Sequence, residues 1–174
     1  MGVHLSRHTG VGLVAQSLKN RVWAVTAALA LLAGAATTWW LLRNPAPYTL
    51  WKTPAVKVSV HAVKSEYPEA KELVGDVDLL VKVYVQRLEA GDSTELAGIG
   101  APWYTGRERA AQQLINRYGA HAGEPVEALV QDPVVPYLAA VELRFGNGQR
   151  QVLYLTRDND VWWLQLGHGD PVAP

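Results

Sequence analysis

The chain has 174 residues, 16 acids, 16 bases and no cysteine. The missing cysteine excludes disulfides, thiol chemistry and a lipoprotein anchor. The zero net charge conceals two unlike halves: the first 64 residues carry +7, and the rest, with nine bases and all sixteen acids, carries −7. The acidic half shows no basic face, which argues against nucleic acid as a partner.

Residues 1–21 form a short basic head with Arg7, Lys19 and Arg21. Residues 22–42, VWAVTAALALLAGAATTWWLL, follow without a charge or a proline. About 20 apolar helical residues match a hydrocarbon core of ~30 Å. Val22 and Leu42 bound the run, with Trp23 near one end and Trp39 and Trp40 near the other. Indole rings favour the two membrane–water interfaces, so the segment reads as one transmembrane helix. A buried core helix is the plainer alternative, but such a helix rarely lacks any polar stripe.

Nearby bases are balanced, with Arg7, Lys19 and Arg21 before the run and Arg43, Lys52 and Lys57 after it. A short basic head, one span and a larger tail make a signal-anchor layout. This places the N-terminus in the cytoplasm and the tail outside the cell membrane. The rival is a signal peptide cleaved after Ala35, since Ala33-Gly34-Ala35 has the small-x-small form. The apolar run, however, continues to Leu42 and ends at Arg43. Ala30, Gly34 and Thr38 share a stripe that lets two helices approach closely, so a homo-oligomer is a further option.

Residues 43–67 are expected to form a linker, since Pro45, Pro47 and Pro54 oppose a helix. Within it, residues 56–62 alternate apolar and polar strictly, the period of a half-buried strand. That strand could pair with an edge of the following domain or with a second copy. Val58 and Val60 are therefore candidate interface residues. The plainer reading is an extended stalk.

Residues 68–174 are long enough for one small domain. From Glu69 to Ala90, apolar residues recur at Leu73, Val77, Leu80, Val81, Tyr84 and Leu88. These steps of three and four predict an amphipathic helix, started by Pro68 and stopped by Gly91. Asp92-Ser93-Thr94-Glu95 reads as a capping box opening a short helix through Ala97. Thr105-Gly106-Arg107-Glu108 reads as a second box, opening a helix with Ala111, Leu114, Ile115 and Tyr118 on one face and Gly119 as its stop.

Strands follow. Val126, Ala128 and Val130 alternate with Glu127, Leu129 and Gln131, and Tyr137, Ala139, Val141, Leu143 and Phe145 alternate with Leu138, Ala140, Glu142 and Arg144. Gly146-Asn147-Gly148 supplies a hairpin turn. A third strand runs from Gln149 to Thr156 and a fourth from Val161 to Leu166, across the turn Asp158-Asn159-Asp160. Three helices followed by an antiparallel four-stranded meander make an α+β domain, with the helices on one face of the sheet.

Tyr84-Val85-Gln86-Arg87-Leu88-Glu89-Ala90-Gly91-Asp92 and Asp158-Asn159-Asp160-Val161-Trp162-Trp163-Leu164 resemble the nuclear transport factor two-like superfamily, which includes SnoaL-like and ketosteroid-isomerase-like proteins. The likeness covers roughly residues 69–167. It implies a curved sheet and three helices forming a cone. It also implies a site in the cone, where Tyr84, Trp103, Tyr104, Tyr118, Tyr137 and Trp162 are the candidate pocket residues. The layout is similar to anchored members such as the inner-membrane assembly subunits of type IV secretion and conjugation systems, or the accessory proteins of lipid-uptake complexes. Partners would then be other membrane or envelope proteins.

Catalytic signals are weak. Asp132 before Pro133 fits a turn, and His121 after Gly119 fits a solvated loop; Tyr104 and Tyr137 complete the acid–base candidates. His4, His8, His61, His121 and His168 lack metal-ligand spacing, and no phosphate or dinucleotide motif occurs, so no metal or cofactor is expected. Trp162, Leu164 and Leu166 share a face, leaving Trp163 on the other. An exposed Trp163 would be an interface anchor; otherwise a second cover, such as the linker, lies over it. The chain is expected to be a non-enzymatic interaction module. The alternative is an anchored binder of a small apolar molecule, or an isomerase- or dehydratase-like enzyme.

Overall fold

The computed structural model describes residues 46–64 and 67–173, all within the unit that follows Arg43. The expected head (1–21) and span (22–42), with Val22, Trp23, Trp39, Trp40 and Leu42, lie outside the described residues. Among the described residues, no helix is long and apolar enough to cross a membrane.

The alternating linker segment is a strand, β1 (Val58–Ala62). Helix α1 (Glu69–Ala90) follows, with Glu69 and Glu72 in its first turn and Gly91 at φ 70° closing it. Carboxylates near the N-terminus complement the helix dipole, and a left-handed glycine ends a helix without Cβ strain. Helix α2 (Ser93–Gly98) is capped by Asp92, whose side chain accepts from the Glu95 amide at 3.0 Å. Helix α3 (Arg107–Tyr118) starts differently from expectation. Gly106 caps it at φ 71° with no side-chain bond, and the Thr105 hydroxyl donates instead to the His168 carbonyl at 3.3 Å. Gly119 C-caps α3, as expected, in a right-handed conformation, and a 3₁₀ turn, Gly119–His121, follows it.

Strands β2 (Val126–Val130), β3 (Leu138–Phe145), β4 (Arg150–Asp158) and β5 (Val161–Leu164) form the meander. The β3–β4 turn uses Gly148 at φ 86°, and the β4–β5 turn uses Asn159 and Asp160 at φ 48° and 64°, a conformation that asparagine and aspartate tolerate. The domain is thus α+β with three helices, but the sheet is mixed and five-stranded, not a four-stranded antiparallel one. Its order is β1-β2-β3-β4-β5, and β1 runs parallel to β2. A parallel neighbour requires a long crossover, and the three helices supply it.

Helix α1 packs on the inner face of the sheet. Val77, Leu80, Val81, Tyr84 and Leu88 meet Val126, Ala128, Val130, Val141, Leu143, Leu153 and Leu155 in one core. Each fully buried Leu or Val stabilises the fold by about 1.5–3 kcal/mol. Val83, Val85, Gln86 and Arg87 are buried as well, although they lie off the apolar stripe. The linker covers Gln86 and Arg87.

Candidate interaction surface and groove

The candidate pocket residues do not converge on one cavity. Tyr84 is fully buried, and its hydroxyl donates to Gln151 Oε1 at 2.9 Å and accepts from Gln151 Nε2 at 2.7 Å. Burial pushes its phenol well above the ordinary tyrosine range. Tyr118 stacks on Phe145 with ring centroids 5.5 Å apart. Trp103 and Tyr104 sit at the C-terminal tail, where Trp103 Nε1 donates to the Asp170 carbonyl at 2.9 Å and Gly169 lies against the Tyr104 ring. Burial and the Asp170 carboxylate push the Tyr104 phenol up. Tyr137 was expected on the buried face of β3, but it precedes that strand and is 43 % exposed. The Val135–Leu138 bridge turns the chain there.

The acid–base candidates are likewise scattered. Asp132 is exposed in the β2–β3 loop. His121 Nδ1 lies 3.8 Å from Glu124 Oε1 at the surface end of the 3₁₀ turn. Among the described residues, no group of His, Asp or Glu side chains could hold a metal ion.

Several grooves form; the one of about 400 Å³ lies where the start of α1 faces the β2–β3 loop, and a shallower one of about 800 Å³ lies beside Tyr104, Arg107 and Glu108. Leu73, Val134, Val135, Leu138 and Trp162 make the apolar wall of the first, and Glu69, Glu72, Asp76 and Arg157 its polar rim. Arg157 is held by Asp160 at 3.0 Å and reaches Asp76 at 4.0 Å. Of the expected pocket residues, Trp162 alone lines the 400 Å³ groove.

The linker is a strap, with no free stalk between residues 46 and 57. The Trp51 amide donates to Gln86 Oε1 at 2.7 Å, and Gln86 Nε2 donates to the Trp51 and Pro54 carbonyls at 3.0 and 2.7 Å. Arg87 donates to the Thr49 carbonyl at 2.8 Å, and its guanidinium lies 3.2 Å from the centre of the Trp51 ring. A guanidinium over an indole face is a favourable pairing when desolvated. Desolvation pulls the Arg87 pKa down from its ordinary value, while Glu95 and Asp92 hold it up. Tyr48 completes the strap, donating to the Trp162 carbonyl at 2.6 Å and meeting Trp163 edge-on at 6.3 Å. Trp163 is therefore half-buried beneath the linker and is not the open anchor that its position on the outer face suggested. Periodicity did not reveal Tyr48, Trp51, Gln86 and Arg87. The available signal was Val83 and Val85, apolar residues on the supposedly exposed side of α1.

The two faces of the sheet differ sharply. On the outer face, Ala140 pairs with Tyr154 and Glu142 with Val152. Val152 is 47 % and Tyr154 59 % exposed, and Leu129 and Leu138 flank them half-buried. At one end, Glu142 bridges Arg144 at 2.9 Å and Arg150 at 3.4 Å, and Arg144 reaches Glu127 at 3.6 Å. The hydrogen bond from Arg144 holds the Glu142 carboxyl below the usual carboxylate range.

The edges differ too. On β5, the Leu164 amide and carbonyl bond Ile99 and Ala101 at 3.0 and 2.9 Å, and Tyr48 takes the Trp162 carbonyl. On β1, the Lys57 carbonyl and Val63 amide bond β2, so the alternate residues Val58, Val60 and Ala62 turn their backbone groups outward. Their side chains belong to the inner face and are half-buried.

Compared with family models, curated proteins and solved structures, the chain matches none.

Proposed function

We propose that the chain is a single-pass membrane-anchored interaction module and not an enzyme. Its N-terminus lies in the cytoplasm, and its acidic domain binds partner proteins of an envelope or transfer complex outside the membrane. The apolar run at 22–42 with its flanking tryptophans supports the anchor. The order of helices then strands, with an acidic turn before Trp162, supports a distant likeness to the nuclear transport factor two-like superfamily. The observation that carries the function is the contrast between the faces of the sheet. The inner face is packed shut around Tyr84, while the outer face presents Val152 and Tyr154 to solvent. Clustered exposed apolar side chains rimmed by charge mark protein-binding sites.

The experiment is affinity purification of the full-length protein from gently crosslinked membranes, with and without Tyr154→Asp. A co-purifying set of envelope proteins that the substitution removes is the expected result. Recovery of the protein alone, or the same set with the variant, refutes this reading.

The groove favours a second reading, an anchored binder of a small apolar molecule. Its volume of about 400 Å³ falls within the range of ligand sites, ~300–1,000 Å³. A small apolar molecule retained by the purified protein and lost on Leu73→Glu would establish it.

A further inference from the structure

We infer that β1 is a self-pairing edge, through which two copies of this chain join their sheets in antiparallel register about Val60. Three observations converge on a second copy as the occupant. First, the outward backbone groups fall on Val58, Val60 and Ala62, every second residue of the strand. An antiparallel partner joined about Val60 sets Val60 against Val60 and Val58 against Ala62 of the second copy. Each of these residues then exchanges both its N–H and its C=O with its counterpart. Any other centre among these residues leaves an outward group unpaired at one end.

Second, the side chains match as well as the backbones. Val58, Val60 and Ala62 are half-buried members of the inner face, so a second β1 laid beside them extends the core and removes them from water. On the outer face, the exposed Ser59 and His61 come opposite each other. Lys57 faces Val63 and Lys64 faces Val56, so no like charges meet. Among the devices that protect a strand edge are a proline, a bulge or an inward charge; residues 58–62, VSVHA, carry none of these, and the lysines at 57 and 64 lie just beyond the strand's two ends.

Third, the contact suits a tethered chain. Five residues cannot supply the ~800 Å² per partner of a standard stable interface. Two copies held in one membrane meet at high effective concentration, and a small contact then suffices. This last point rests on the anchored reading above; the register does not.

The absence of native cysteine makes the test clean. Full-length Ser59→Cys and His61→Cys chains, carrying different tags, are co-expressed and oxidised mildly in isolated membranes. Residues facing each other at a non-hydrogen-bonded antiparallel position have Cα atoms about 4.5 Å apart, within the ~4.4–6.8 Å that a disulfide spans. The expected result is a mixed-tag dimer, at least about fivefold more abundant than with Val134→Cys, a loop control that samples random collision. Adding Val60→Pro abolishes it, because proline removes an outward N–H that the chain's own sheet does not use. Equal crosslinking at position 134, or persistence with Val60→Pro, overturns the pairing. As a check without substitutions, amide exchange of the unmodified protein is measured in detergent and in membranes. Protection of Val58, Val60 and Ala62 that is more than about tenfold greater in membranes supports the pairing; equally fast exchange in both overturns it. Loss of the crosslink with envelope partners retained refutes this contact alone and leaves the function standing.

Discussion

Gln86→Leu tests whether the linker is a strap. Gln86 is 1 % exposed. Its amide satisfies the Trp51 N–H and the Trp51 and Pro54 carbonyls at 2.7, 3.0 and 2.7 Å, and accepts from Arg87 at 3.0 Å. Leucine fills a similar volume and offers none of these bonds. Three half-buried backbone groups lose their partner, at about 1 kcal/mol each, the low end for an unsatisfied group. The strap should therefore loosen by about 3 kcal/mol, which raises its open population on the order of 100-fold. Lys52 is exposed in the strap, so trypsin cutting after it reads that population when opening is fast relative to cleavage. The full-length protein in detergent should be cut roughly 100-fold faster as Gln86→Leu, with a melting temperature lower by about 10 °C. Lys82→Ala is the control. It removes a surface pair with Asp78 at 2.8 Å and should cost under about 0.5 kcal/mol. If Gln86→Leu is cut no faster than this control, the strap is not held by the side chain of Gln86.

Other substitutions separate core from surface. Trp162→Ala removes an indole that is 4 % exposed and should cost about 3–5 kcal/mol in urea unfolding; Trp163→Ala, half-buried under Tyr48, should cost less, and equal losses would contradict its position. Tyr154→Ser removes a side chain 59 % exposed and should move stability by no more than about 0.5 kcal/mol, measured the same way. Burial raises the phenols of Tyr48 and Tyr84 above their ordinary value of 10.0. The unfolded chain therefore ionises first. The stability these groups contribute is fully present below about pH 10 and is lost as pH rises toward the folded values. Urea midpoints should hold to pH 9 and fall above about pH 10, less steeply in Tyr84→Phe. For Glu142, a carboxyl NMR titration should give a midpoint below the ordinary carboxylate value, moving up in Arg144→Ala.

The legible parts of this fold are those that local periodicity determines. Steps of three and four placed α1 with both its ends, and alternation placed the four meander strands, because each element buries one face and its own spacing records that face. Position 137 shows the limit: alternation extends one residue past the true start of β3, and only the Val135–Leu138 bridge reveals the break. Thr105 shows another. Its spacing to Glu108 is that of a capping box, yet its backbone pairs with His168 in both directions at 2.9 Å, and a contact over such a sequence distance has no local trace. The alternation of 56–62 announced a strand but not its parallel neighbour, since register is settled by the partner. The candidate site was least legible. Listing aromatic residues predicts burial well and convergence poorly, so Tyr84 and Tyr118 became core, while the groove drew on Leu73, Val134 and Asp76.

The closure of one sheet edge has a geometric consequence. Loop 99–101 and Tyr48 occupy the outer side of β5, so among the described residues β1 is the edge of this sheet left open to a further strand. Two copies that meet there turn their finished edges outward and leave no third place to join. The contact is self-limiting by symmetry: it terminates in a pair and cannot propagate into a fibre, however crowded the copies become.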